Sequence, residues 1–326
     1  MITIILAGVT AIIFSIIAGI LAIPLLKKLK AGQTVLSYVK EHKDKNGTPT
    51  MGGLFFVFSA VLAFFVFGGG SVLSKFVMYI TVAFLVVGFI DDFIKIKSRK
   101  NEGLKPYQKI IFQLLIAVIS GFYAYYNKLT VFFIPFSRIS VDLGFFSIPL
   151  ITTVFLAVTN SVNLTDGLDG LAGSVTTVFL LGLSVLIAVQ AVFFGENYLL
   201  KGEYLSLIKL SVTFIGAILG FLCFNTNKAS VFMGDTGSLA LGGLTAGIAI
   251  FSGNTFFIPI IGITYALSSI SVIIQVIYFK RTKKRVFLMA PLHHHFQHKG
   301  YSESKIAFIY SLITIVASCF SVISFL

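Results

Sequence analysis

Asn160-Ser161-Val162-Asn163-Leu164-Thr165-Asp166-Gly167-Leu168-Asp169-Gly170-Leu171 joins one long apolar run to the next. Two carboxylates, two carboxamides and two glycines stand together here. A bilayer tolerates such a concentration of polar groups only where they face protein or water. The stretch therefore reads as a junction between two membrane spans, at one membrane face. The rest of the chain agrees: its 326 residues are 57% hydrophobic and only 11% charged, where soluble domains carry about 25% charge. The expected fold is all-α, a polytopic membrane protein of about ten transmembrane helices in a single domain over residues 1–326. That length leaves no room for a separate soluble domain.

The formal charge of +13 raises nucleic acid as a partner, but the basic residues sit in short loops between spans. Membrane lipid and anionic substrates account for them better, so no nucleic-acid partner is expected. Cys223 and Cys319 lie inside apolar runs and read as small buried hydrophobes.

Working outward, the spans fall at about 2–26, 51–67, 73–97, 108–126, 147–163, 170–194, 205–224, 233–252, 255–279 and 305–325. Pro259 and Gly262 are expected to break the ninth. Residues 128–147 alternate aromatic and polar groups and predict a small outer β-hairpin. Residues 280–304 form the longest inner loop. With both termini external, 20 of the 25 basic residues fall on the inner side, the distribution that the positive-inside rule requires. The first apolar run has its lysines after it, so it reads as a retained helix and not a cleaved signal.

This topology gathers three acidic motifs on the cytoplasmic face. Asp91 lies about 27 Å along the third span at 1.5 Å per residue, and Asp91 and Asp92 point about 100° apart, one toward the bundle and one toward the aqueous boundary. They are candidates for a metal ligand or general base; the bland alternative is neutralisation by Lys95 and Lys97. Asn163, Asp166 and Asp169 share one side if the backbone stays helical. Asp235, in Phe232-Met233-Gly234-Asp235-Thr236-Gly237, stands where a helix begins, beside free amides and the positive end of its dipole. That suits Mg²⁺, which prefers one or two carboxylates with phosphate oxygens and water. Phe232 is a candidate to stack on a nucleobase, and Asn225 flanks the same loop. His293-His294-His295 could bind Zn²⁺, but adjacent residues rarely place three rings on one tetrahedron; His near a diphosphate is the better reading. Lys45, Thr48, Thr50, Lys95, Lys105 and Lys109 add cations and donors for a polyanionic nucleotide and a lipid headgroup. Together these residues point to metal-assisted phosphate transfer.

The ordered set of Gly47-Thr48-Pro49-Thr50-Met51-Gly52-Gly53, Asp91-Asp92-Phe93, Asn163 through Gly170, Phe224-Asn225-Thr226, Phe232 through Gly243 and Met289-Ala290-Pro291 with His293-His294-His295 resembles the polyprenyl-phosphate N-acetylhexosamine-1-phosphate transferase superfamily over nearly the whole chain. Within it, the resemblance is to the branch that moves phospho-N-acetylmuramoyl-pentapeptide from its UDP conjugate to undecaprenyl phosphate, releasing UMP. It implies external termini in the bacterial inner membrane, a broken ninth helix, a cytoplasmic cleft and a homodimer. It implies Asp235 as the Mg²⁺ ligand, Asp91 and Asp92 as the catalytic acids, and His293 and His294 as the essential histidines. It places Lys45, Thr50, Asn163, Asp166, Asp169, Asn225 and Phe232 around the uridine part or its pocket. Asn227-Lys228 and the short outer turn at 68–72 depart from the family pattern. Two other readings stand beside it: N-acetylglucosamine-1-phosphate transfer to a polyprenyl phosphate, and an ion-coupled transporter, which the acids at one boundary and the lack of repeated halves disfavour.

Overall fold

The computed structural model describes residues 2–28, 47–98, 102–137, 139–193, 198–226 and 228–325. It is an all-helical bundle with one small hairpin. The helices are α1 (Ile2–Lys28), α2 (Gly53–Val66), α3 (Val72–Ser98), α4 (Pro106–Tyr126), α5 (Ser147–Thr165), α6 (Leu171–Phe193), α7 (Tyr198–Asn225), α8 (Gly234–Phe251), α9 (Ile258–Ile261), α10 (Ile263–Thr282), α11 (Leu292–His298) and α12 (Glu303–Phe325). Among the described residues, eight helices are long and apolar enough to cross a membrane. The two expected spans outside that set have physical reasons to be. α2 is apolar but has only 14 residues. α8 is glycine-rich and carries Asp235 in its first turn.

α8 forms the axis of the bundle. Every residue from Thr236 to Phe251 is buried, and α2, α3, α5 and α6 all pack against it. A helix wrapped by protein has no need of large apolar side chains. Its glycines instead let neighbours approach closely, as small residues do between membrane helices. A Cβ on Gly53 of α2 would strike the backbone of Gly237, and one on Gly88 of α3 would strike the carbonyl of Asp235. α1 meets α7 in the same way, with Gly216 against the Gly8 carbonyl and Gly220 against Ser15.

The expected hairpin is present: β1 (Val131–Phe133) pairs antiparallel with β2 (Ser140–Asp142), Phe132 opposite Val141. Phe133 N–H donates to the Gly253 carbonyl at 2.8 Å, tying the hairpin to the end of α8. The same end is closed by the paired amides of Gln190 and Asn254, at 2.7 and 2.8 Å, and by Lys209, whose ammonium donates to the carbonyls of Phe67 and Gly69. The break in the ninth span falls at Gly262, between α9 and α10. The connector after α10 departs from a plain loop, because it contains α11, which carries the histidines.

Candidate active site

The site lies at the end of the bundle opposite the hairpin, where α3 and α5 finish and α8 begins. Asp91, Asp92 and Asp235 each offer an oxygen within 4.8 Å of the others. Two lysines knit them together. Lys95 Nζ lies 2.6 Å from Asp91 Oδ2 and 2.8 Å from Asp235 Oδ2, and 3.8 Å from Asp92 Oδ1. Lys109 Nζ lies 2.6 Å from the same Asp235 oxygen and 3.3 Å from Asp91. Asn163 Nδ2 donates to the other Asp235 oxygen at 2.7 Å and to Ser238 Oγ at 2.8 Å. Each buried carboxylate costs several kcal/mol to desolvate, and the two ammoniums offset part of that cost.

Asp91 and Asp92 do not divide between bundle and water, as their helical offset predicts. Both are buried, at 1% and 3% exposure. Residues 103–104 fold back over the end of α3, and Leu104 N–H donates to Asp91 Oδ1 at 2.9 Å. Asp92 turns to α8 and accepts from the amide and the hydroxyl of Thr236.

The 160–171 stretch also departs from its helical reading. α5 ends at Thr165, and Asp166 caps it with φ −78° and ψ 52°. Gly170 adopts φ +72°, a conformation that glycine takes without strain. Asn163, Asp166 and Asp169 therefore serve three different surroundings. Asn163 reaches Asp235. Asp166 sits in the field of Asp235, Asp92 and Asp169, and burial, with those charges added, pushes its carboxyl up to about 8. Asp169 is spent on structure: its Oδ2 accepts from Ala229 N–H at 3.0 Å, while its own N–H donates to Glu303 Oε2 at 2.8 Å.

Asn225 is likewise a structural clamp. Its Nδ2 donates to the Val231 carbonyl at 2.9 Å, and its Oδ1 accepts from Gly170 N–H at 3.1 Å. Phe232 is held by its backbone, its N–H to the Pro49 carbonyl at 2.8 Å and its carbonyl from Gly52 N–H at 2.9 Å. This pairing brings Thr50, 5% exposed, beside Asp92: a Cβ on Gly234 would meet both Thr50 Oγ1 and Asp92 Oδ2. Lys45 lies outside the described residues.

α11 presents two histidines to the Gly167 turn. His293 is fully buried, and burial, with His294 beside it, holds its imidazole down at about 3. The two rings are 4.5 Å apart. A Cβ on Gly167 would collide with His293 Nε2 and sit 3.0 Å from His294 Nε2. His295 faces away, its Nδ1 accepting from Leu288 N–H at 3.1 Å, so the three rings do not converge on one metal.

The acid cluster fits a metal ion. Three carboxylates from two helices make an oxygen donor set of the kind a hard divalent cation takes, and Asn163 orients one of them.

Residues 74–253 match the family model described as glycosyl transferase family 4. Residues 45–57 match phospho-N-acetylmuramoyl-pentapeptide-transferase signature 1. A phospho-N-acetylmuramoyl-pentapeptide-transferase of Clostridium botulinum (strain Alaska E43 / Type E3) is 44% identical over 309 residues, covering 93% of this chain and 90% of the relative. The chain belongs to this transferase family. Relatives of the same name from Clostridium perfringens (strain SM101 / Type A) and Clostridioides difficile (strain 630) are 44% and 40% identical, each covering 96% of this chain and 94% and 95% of their own lengths. The glycosyl transferase family 4 match runs through Asp91, Asp92, Asn163 and Asp235, the residues that meet at the cluster.

Several residues of the site carry no signal in the sequence. Glu303 looks like an ordinary helix residue and Gly88 like an ordinary small one, while Thr236, Ser238 and Gly167 stand inside quoted motifs that assign them no contact of their own. Their partners lie far away in the chain, and spacing cannot reveal them.

Proposed function

We propose that this protein transfers phospho-N-acetylmuramoyl-pentapeptide from its UDP conjugate to undecaprenyl phosphate, with Mg²⁺, giving the first lipid-linked peptidoglycan precursor and UMP. The observation that carries this reading is the knot of Asp91, Asp92, Asp235, Lys95 and Lys109 at one end of a membrane bundle. The names of the relatives supply the substrate class.

The main obstacle to joining a phosphate nucleophile to a diphosphate is repulsion between anions. Lys95 and Lys109 supply two ammoniums that exchange carboxylate partners for phosphate oxygens. Mg²⁺ held by Asp235, with Asp91 and Asp92 beside it, would neutralise the diphosphate and support the leaving UMP oxygen. Three carboxylates and two ammoniums leave one net negative charge, so a divalent cation turns the pocket cationic. Asp91 orients the acceptor phosphate and takes its proton. Electrostatic positioning of this kind carries most of the catalysis in phosphoryl transfer. Thr50, Phe232, Asp166 and Lys45 hold the nucleotide side.

The acceptor reaches this end through the membrane. A cavity of about 940 Å³ opens beside α10, walled by Val272, Val276 and Phe279 and rimmed by Lys280, Arg285 and His298. An apolar wall with a cationic rim suits a lipid phosphate. The distribution of lysine and arginine supports a site on the cytoplasmic side and external termini, while the plasma membrane and the homodimer rest on the family resemblance.

The test is release of radiolabelled UMP by purified protein in detergent, with UDP-N-acetylmuramoyl-pentapeptide and UDP-N-acetylglucosamine as rival donors. Release that needs both Mg²⁺ and undecaprenyl phosphate, and only the muramoyl donor, is expected. Turnover of the N-acetylglucosamine conjugate alone would assign the chain to the second reading.

A further inference from the structure

A second cavity, of about 240 Å³, lies between α10 and α12 under α11. It runs along α12 from Ile306 to Ile313, about 10 Å at 1.5 Å per residue. At its far end the buried hydroxyls of Thr264 and Thr314 stand 3.2 Å apart and tie the two helices together. At its near end α11 closes over it, hung on α10 by Leu292 N–H to Ser271 Oγ at 3.0 Å. Leu267, Ile309 and Ile313 belong to the wall and are still more than a third exposed. The cavity therefore opens sideways, between two helices long and apolar enough to cross a membrane. None of these residues belongs to the acid cluster.

The lining is almost wholly aliphatic and aromatic. An ordered water needs two to four polar partners, so a hydrocarbon chain fills this space better. The mouth is different. Tyr301 stands there, and Lys305 Nζ lies 4.7 Å from the centre of its ring. An ammonium held on a ring face is fixed in place and keeps N–H donors for a phosphate. An apolar shaft with one fixed cation at its end matches a hydrocarbon chain that ends in an anionic headgroup. Size separates it from the 940 Å³ cavity beside α10: it has about a quarter of that volume. It also falls below the roughly 300–1,000 Å³ of sites that enclose a whole ligand. It takes part of one unbranched chain, and not a long branched prenyl chain.

We propose that this cleft binds an anionic phospholipid of the bilayer, with one acyl chain between α10 and α12 and the headgroup phosphate on Lys305. The bound chain packs against Leu292 and Phe296, and both belong to the helix that carries His293 and His294. Tyr310, in the cavity wall, lies 6.4 Å from the His293 ring. α11 has only 7 residues, too few to hold its own shape without packing. The lipid is thus the floor on which the histidine helix rests.

The experiment is photo-crosslinking of the full-length protein in phosphatidylcholine liposomes. The liposomes carry a trace of phosphatidylglycerol or phosphatidylcholine with a diazirine in one acyl chain, and adducts are mapped by peptide mass spectrometry. The phosphatidylglycerol probe is expected to label Leu267, Ile309 or Ile313 about 5-fold more than the phosphatidylcholine probe, the preference that one lysine confers at a membrane surface. Lys305→Gln should bring the two probes level, and unlabelled phosphatidylglycerol should displace the adduct. Equal labelling by both probes in the wild type overturns the proposal, as does the absence of these residues from the adducts, even if no variant folds. A preference that survives in folded Lys305→Gln protein also overturns it. Displacement by undecaprenyl phosphate as readily as by phosphatidylglycerol assigns the cleft to the transfer acceptor and overturns it too. Labelling needs no transfer reaction, so its outcome is separate from that of the transferase reading.

Discussion

The Asp92 carboxylate accepts two hydrogen bonds from Thr236, from its amide at 2.9 Å and its hydroxyl at 2.7 Å. α8 therefore takes its N-terminal cap from another helix, 144 residues earlier in the chain. Loss of a capping group costs about 1–2 kcal/mol. Asp92→Ala is expected to lower the melting temperature in detergent along with activity. Asp91→Asn, which leaves that cap intact, is expected to melt near wild type and to lose turnover. Circular-dichroism melts beside UMP-release assays separate the two roles, and equal melting of both variants would count against the division.

Asp235 collects Lys95, Lys109 and Asn163 on its two oxygens. Asp235→Asn removes the charge that both ammoniums and a bound cation depend on. Turnover should fall by at least about 100-fold, as loss of a key charge-stabilising group often does. Near-normal turnover would refute its assignment as the Mg²⁺ ligand.

Gly88 lies against the Asp235 carbonyl, so one methyl group there must push α3 from α8 beside the acids. Overpacking of this kind costs about 1–3 kcal/mol. A separation of even about 1 Å at a positioned site can cost about 100-fold in rate. Gly88→Ala should therefore lose activity out of proportion to stability. A variant with full turnover would show that the two helices can part without disturbing the cluster.

His293 carries a pH signature. Its imidazole titrates near 3 in the folded protein and at about 6.5 when unfolded. Between those values the unfolded chain binds the extra proton, so the contribution of His293 is complete above pH 6.5 and is lost as pH falls toward 3. Asp166, raised to about 8, acts in the opposite sense: its stabilising share is present at low pH and is lost as pH rises from about 4 through 8. His293→Phe removes two buried ring nitrogens that lack hydrogen-bond partners among the described residues. It should match or exceed wild-type stability at neutral pH, flatten the acid limb of the melting profile, and abolish turnover. A profile still as steep between pH 6.5 and 4 would assign that limb to other groups.

Lys209 caps α2 through the Phe67 and Gly69 carbonyls and lies 5.7 Å over the Phe64 ring. A hydrogen bond to a charged group contributes about 1.5–3 kcal/mol. Lys209→Met should melt earlier and transfer at the wild-type rate, because the site is at the other end of the bundle. A large loss of rate in a folded Lys209→Met protein would contradict that separation.

The parts of this site that sequence reveals share one property: a charge placed where a lipid environment forbids it. Asp91, Asp92 and Asp235 stand out because apolar runs surround them, and alternating spans put them on one face. Asn163 followed for the same reason. Asp169 and Asn225 carried the same signal for another cause, since Ala229, Val231 and the Gly170 turn need side-chain partners for their backbone. Nothing local distinguishes a polar residue that meets substrate from one that closes a buried loop. The helical spacing of Asn163, Asp166 and Asp169 failed because the glycines that follow end the helix first. Glu303 was invisible because its partner, the Asp169 amide, lies on a separate element far away in the chain.

The burial of α8 also bears on how the protein is made. The segment holding Asp235 is rich in glycine, polar at its start and wrapped by α2, α3, α5 and α6. A ribosome-bound chain delivers it after those four, so its destination in the membrane is already lined with protein when it emerges. Its insertion is thus a docking event more than a partitioning one, and lesions in α3 that leave the acids untouched should strand α8 outside the bilayer during biosynthesis.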